Sequence, residues 1–235
     1  MFKIGKLIRR LVQGAPEGQE PPWGIDVPVY DVTPFAAEID IEKLDVIRWA
    51  PCWMTRAERL LLFALIFGIR PKHYLEIGTF KGGSALIVAA AMEASNNPGR
   101  LICIDPEPQI STEHWEILKQ RTTVLRGFSP DILPRASEVI GGLFDFVFID
   151  GDHSYEGVMR DATGVLPFVE EGAYLLFHDS FFSDVAKAIC DFVLQHSSHI
   201  IDFGNLTREV TVQRDNHSNP VYWGGLRMLQ VRMKP

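Results

Sequence analysis

The chain has 235 residues, 46% hydrophobic and 23% charged, a globular composition that excludes a disordered or fibrous protein. That length suits one α/β domain with additions, which needs no disulfide or metal staples. With 23 Lys and Arg against 30 Asp and Glu the net charge is −7, which excludes a general nucleic-acid binder, since such a surface repels phosphates.

The charge is unevenly spread. Residues 1–14 hold Lys3, Lys6, Arg9 and Arg10 and no acid, so this segment is +4 and the remainder −11. Ile4, Leu7, Ile8 and Leu11 share one helical face there. The pattern suits docking on a partner subunit or an anionic membrane surface; a frayed or subunit-packed terminus is the preferred reading. A homo-oligomer is expected. Residues 15–35 are rich in Pro and Gly and read as an extended linker. Residues 1–54 are therefore expected to form an arm and linker with short helices, ahead of a domain spanning 55–235.

Thr55 with Glu58 three residues on resembles a capping box, and Leu60–Ile69 follows as a buried helix ended by Gly68 and Pro71. Strands and helices then alternate. His73–Gly78 reads as a strand, 83–94 as a helix, Leu101–Asp105 as a strand and 112–119 as a helix. Thr122–Arg126 is a strand and 131–140 a helix. Phe144–Asp150 is a nearly continuous apolar run, as in a parallel strand covered on both faces. A helix over 155–169, a strand over 172–178 and a helix over 183–196 follow. Two last strands, Ile200–Asn205 and Leu226–Val231, flank a polar loop. The alternation predicts a parallel sheet with right-handed crossovers.

No apolar run reaches the ~18–20 residues that cross a bilayer. The basic N-terminus lacks a continuous apolar core and a cleavage site, so no signal peptide is expected. Cys52, Cys103 and Cys190 lie far apart without CxxC spacing, which argues against a thiolate zinc site and fits a reducing cytoplasm.

Five motifs carry chemistry. The first, Tyr74-Leu-Glu-Ile-Gly-Thr-Phe-Lys-Gly-Gly-Ser84, puts glycines at a strand-to-helix turn, where backbone approaches a ligand closely. Phe80 stands where a dinucleotide fingerprint needs glycine. Glu76 would repel a pyrophosphate but suits a ligand with a cationic amino group. The second, Leu101-Ile-Cys-Ile-Asp105, ends a strand in an acid suited to ribose hydroxyls. The third, Arg126-Gly-Phe-Ser129, can flank an adenine or cap a helix. The fourth, Phe144–Glu156, releases Asp150, Asp152 and His153 from a buried strand. The fifth, Leu175–Asp179, ends its neighbour in His178 and Asp179. Ligands bind beyond the carboxyl ends of such strands. Carboxylates that close repel each other, and a divalent cation would neutralise them. Trp49, Trp53 and Trp223 are candidates to gate a pocket or to be core, and Trp115 reads as core. The loop from Arg208 to Trp223 reads equally as part of an acceptor wall or as a solvated hairpin loop.

The order LEIGTFKGGS, CIDPE, FIDGDHSYEGV, GAYLLFHDSF resembles class I S-adenosylmethionine-dependent methyltransferases over roughly residues 55–185, nearest to small-molecule O-methyltransferases acting on sugars and natural products. The resemblance implies a Rossmann-like α/β fold: a seven-stranded, mostly parallel sheet with an antiparallel last strand and helices on both faces. Glu76, Gly78, Thr79 and Ser84 would then surround the methionine part of the cofactor, Asp105 the ribose, and Phe128 and Ser129 the adenine. Asp150 would border cofactor and metal alike. In metal-dependent relatives an acid at Asp150 and a following acidic pair bind Mg2+; here the pair reads His178-Asp179. His153 falls at the general base. The expected function is metal-assisted O-methylation of a small-molecule hydroxyl. Asp150 and Asp179, with His178 or Asp152, would hold the ion. A nucleotide-dependent oxidoreductase and a non-catalytic cofactor-binding or interaction protein are the competing classes.

Overall fold

A computed structural model describes residues 41–232. The basic segment 1–14 and the linker 15–35 lie outside the described residues. A 3-10 turn (Ile41–Asp45) and a short helix, α1 (Val46–Trp49), precede α2 (Arg56–Ile69). Val46, Ala50 and Met54, within the stretch read as arm, are buried in the same core as α2. Thr55 caps α2 as predicted: its hydroxyl accepts from Glu58 N, and Glu58 accepts from Thr55 N at 2.6 Å.

The alternation then unfolds as β1 (His73–Ile77), α3 (Gly83–Ala94), β2 (Arg100–Asp105), α4 (Thr112–Leu118), β3 (Thr122–Arg126), α5 (Leu133–Ile140), β4 (Phe144–Ile149), α6 (Tyr155–Val165) and β5 (Val169–Phe177). Next come α7 (Ser183–Gln195), β6 (Ile200–Asn205), β7 (Thr211–Arg214), β8 (Pro220–Trp223) and β9 (Arg227–Val231). Seven strands form one sheet in the order β3-β2-β1-β4-β5-β9-β6. Strands β1 to β5 pair in parallel, and β9 runs antiparallel to both β5 and β6. The expected mostly parallel sheet with an antiparallel last strand is therefore present.

Two differences have local causes. The helix expected over 155–169 stops at Val165, because Pro167 cannot continue it and a 3-10 turn, Leu166–Phe168, takes over. The polar loop after β6 contains a separate hairpin, β7–β8. All four residues of β7 are exposed, so no apolar alternation signals it.

Side chains alternate across the sheet with period two. Leu75, Ile77, Val147, Ile149, Leu175 and Phe177 pack on one face against α5, α6 and α7. Tyr74, Phe146, Phe148 and Leu176 pack on the other against α2 and α3. Two covered faces explain the near-continuous apolar runs. Strand order reverses between β1 and β4, so the carboxyl ends of β1, β2, β4 and β5 open into a crevice there.

Candidate functional site

The crevice is shaped by backbone first. Gly78 leaves β1 with φ +90°, and a Cβ there would lie 2.1 Å from the carbonyl oxygen of Asp150. Only glycine lets the β1 and β4 exits approach this closely. Gly83 starts α3 against the 50–54 segment, where a Cβ would meet Cys52 N at 2.6 Å. Asp105, at the end of β2, accepts from Thr79 N (3.0 Å), Phe80 N (2.7 Å) and Glu107 N (2.7 Å). It therefore holds the glycine loop in place. A carboxylate accepts about four hydrogen bonds, so capacity for a ribose hydroxyl remains.

These elements enclose a cleft of about 590 Å3, a size that small-molecule ligands fill. Gly78, Thr79, Ser84, Asp105, Phe128 and Ser129 line it, as do Asp150, His153, His178 and Asp179. Glu76 does not. It is fully buried behind the loop, with Oε2 3.3 Å from the Tyr74 hydroxyl. Burial pushes its carboxyl up to about 8, against the nearby hydroxyls of Ser84 and Thr79. Phe128 is 64% exposed at the mouth, and Ser129 is buried below it. Buried Asp161, which sequence reading passed over, sits beneath Gly151; burial raises it to about 6.

At the other end of the cleft the side chains of β4 and β5 meet. His178 Nδ1 lies 2.9 Å from Asp150 Oδ1 and 3.3 Å from Asp179 Oδ2. His153 Nε2 lies 2.9 Å from Asp179 Oδ2 and 3.6 Å from Asp150 Oδ1. Burial pushes His153 down, but hydrogen bonds and charge from Asp150 and Asp179 outweigh it and bring the imidazole up to about 9. His178 rises likewise. The opposite happens to the acids: burial works upward on Asp150 and Asp179, yet the two imidazoles hold both below the usual carboxylate range. Asp152 turns away. It accepts from Ser154 N and pairs with Arg160 at 3.6 Å, which leaves His178 as the cluster member.

Two contributors were not legible locally. Glu58, read as a cap, is wholly buried; Oε1 accepts from Gly225 N, and Oε2 sits 3.5 Å from His178 Nε2. Gly225 and His178 are distant in sequence, so no spacing signals the link. Asp179 Oδ1 accepts from Gly224 N, which ties the end of β5 to the same turn. Trp223 stacks on Phe182 (4.5 Å) and presents an edge to His153 (5.7 Å).

One donor atom each from Asp150, His153, His178 and Asp179 lies within 4.8 Å of the others. Two carboxylates and two imidazoles so disposed fit a divalent cation by charge and by donor type.

Comparison with known proteins agrees with the geometry. Residues 75–180 match the family described as "Methyltransferase domain". An uncharacterised protein of Acanthamoeba polyphaga mimivirus is 34% identical over 45% of this chain and 50% of its own length. A rhamnosyl O-methyltransferase of Mycobacterium leprae is 27% identical over 49% of this chain and 52% of its own. The chain thus spans about half the length of the curated relatives it matches. Among solved structures, the O-methyltransferase TomG of Streptomyces achromogenes superposes with a TM-score of 0.57 at 17% identity, covering 82% of this chain and 89% of that one. An O-methyltransferase of Bacillus cereus gives 0.54 at 17% identity, covering 84% and 94%. Sheet order and the superposed structures together show the fold of class I methyltransferases, and residues 75–180 match a methyltransferase domain within it. No helix among the described residues is long and apolar enough to cross a membrane.

Proposed function

We propose that the chain transfers a methyl group from S-adenosylmethionine to a hydroxyl oxygen of a small polyhydroxylated acceptor such as a sugar. His153 is the general base, and Asp150, His178 and Asp179 hold a divalent cation. One observation carries this reading: two imidazoles and two carboxylates converge beside the cleft that Gly78, Ser84 and Asp105 line.

S-adenosylmethionine supplies a methyl carbon on a cationic sulfur, and a divalent cation would lower the pKa of a coordinated hydroxyl. The chain's own tasks are alignment and proton removal. A bond forms from acceptor oxygen to methyl carbon as the carbon–sulfur bond breaks. Sulfur keeps that electron pair, and the hydroxyl proton passes to the His153 imidazole. His153 must therefore begin unprotonated. Asp150 and Asp179 by themselves hold its imidazole near 9, so that it keeps its proton at neutral pH. The base role thus asks that those carboxylates be countered, which a bound cation would do. Trp223 meets His153 in a T-shaped contact, ring centroids 5.7 Å apart. The acceptor class draws on the rhamnosyl O-methyltransferases, which match over about half their length.

The test is methyl transfer by wild type, His153→Ala and Asp179→Ala across a panel of sugar acceptors, with chelator and metal add-back. Losses of roughly 10²–10⁴-fold in both variants are expected, with wild-type activity abolished by chelator and restored by metal. Full activity in both variants, indifferent to chelator, sinks the mechanism. A second reading has its own observation: His153 Nε2 lies within hydrogen-bonding distance of Asp179 Oδ2, at 2.9 Å. Chelator-resistant wild type with inactive His153→Ala selects that Asp–His pair.

A further inference from the structure

The chemistry of the cation site is decided by how His178 is held. Its side chain is 3% exposed and cannot swing aside for water. Its ring packs near Phe148, centroids 6.2 Å apart. Nδ1 faces Asp150 and Asp179, at 2.9 and 3.3 Å. Nε2 is buried without a hydrogen-bond partner, and Glu58 Oε2 stands 3.5 Å away as a charge partner.

Glu58 is itself immobile. It is fully buried on α2, and its two oxygens accept from Thr55 N and Gly225 N. A cation shared with Asp150 and Asp179 would take the Nδ1 lone pair, and the buried carboxylate beside Nε2 then favours the ring's remaining proton on that nitrogen. Histidines that bind metals are oriented by an acceptor on the far nitrogen in this way. The resulting donor set is one enforced nitrogen and two carboxylates, with His153 alongside. Mg2+ prefers an all-oxygen octahedron and gains little from imidazole, whereas Mn2+, Co2+ and Zn2+ accept it readily.

We propose that Glu58 is a positioning residue that fixes His178 as a nitrogen ligand, so that the site takes a borderline divalent ion of the Mn2+, Co2+ or Zn2+ type in preference to Mg2+. This rests on the reading that the cluster holds a cation. It goes further by naming the class of ion and the residue outside the cluster that selects it.

The experiment uses chelator-stripped, full-length protein and Mn2+ as the probe. Mn2+ binding is followed by electron paramagnetic resonance, with Mg2+ as competitor, and nitrogen coordination by pulsed detection of 14N coupling. Wild type is expected to bind Mn2+ at least ~10-fold more tightly than Mg2+ and to show 14N coupling. Glu58→Gln is expected to weaken Mn2+ binding by about 10–100-fold. Because Glu58 also caps α2, His178→Asn is the companion variant: it leaves the cap intact. It should lose the 14N coupling and most of the Mn2+ preference, while His153→Ala keeps both.

Equal affinity for Mg2+, or bound Mn2+ without 14N coupling, overturns the inference while leaving a cation in the mechanism. Coupling lost in His153→Ala but kept in His178→Asn overturns it as well. Failure to bind any divalent cation overturns both the inference and the metal-assisted reading beneath it.

Discussion

Replacing Glu76 with glutamine isolates one buried charge. Glu76 is fully buried beneath the glycine loop, and burial lifts its carboxyl from 4.5 to about 8. Between those values the folded protein holds a proton that the unfolded chain has released. Stability must then fall as pH rises through this window, since the folded state binds the extra proton. At about 1.4 kcal/mol per pH unit, the linkage costs the cofactor-free fold on the order of 4 kcal/mol by pH 8, and less if the loop relaxes to admit water. Glu76→Gln keeps the size and polarity of the side chain and removes its titration. Urea unfolding of both proteins without cofactor, at pH 5, 6, 7 and 8, gives the difference directly. The variant should gain on wild type steadily from pH 5 to pH 8, by up to about 4 kcal/mol. Other titrating groups act in both proteins and cancel in the comparison. A difference that stays flat across the four pH values refutes the reasoning.

Further outcomes follow from the same geometry. In cation-free protein the His153 imidazole resonances should titrate near 9, and Asp179→Asn should bring them down toward 6.5; a wild-type midpoint at 6.5 contradicts the paired cluster. The stability that this pairing contributes is present below pH 6.5 and lost as pH rises through about 9. Gly78→Ala sets a methyl 2.1 Å from the Asp150 carbonyl oxygen at φ +90°, so urea melts should show at least ~3 kcal/mol of destabilisation or no soluble fold, and a loss under 1 kcal/mol speaks against the close crossing. Asp105→Ala frees the Thr79, Phe80 and Glu107 amides together, which should cost about 1–3 kcal/mol and abolish S-adenosylhomocysteine binding in calorimetry; wild-type affinity would remove Asp105 from the cofactor site.

The fold was legible wherever burial on two faces wrote itself into the chain. The strands at 73–77 and 144–149 are short, largely apolar and buried, and their ends lie within a residue of those expected. The candidate cluster was legible for the same reason. Asp105, Asp150 and His178 follow directly from buried strands, where a polar residue has to face the crevice. What escaped depended on partners far along the chain or on surfaces without a pattern. Glu58 satisfies a local capping rule, so its contacts with His178 and Gly225 leave no trace nearby. The hairpin at 211–223 is largely exposed, and Trp223 at its end packs against His153. Glu76 shows a different limit: it stands on β1 as expected, but period-two alternation puts its side chain on the face shared with Tyr74, buried beside Ser84 and Thr79 and off the lining of the cleft.

The most direct measurement of the central claim is thermal unfolding of the full chain with S-adenosylhomocysteine and, separately, with NAD. A ligand that binds the folded state alone stabilises it by about 2.7 kcal/mol at a hundred times its Kd. S-adenosylhomocysteine should raise the melting temperature by several degrees in a saturable manner, and NAD should leave it unchanged. Stabilisation by NAD with none from S-adenosylhomocysteine would contradict the account at its root.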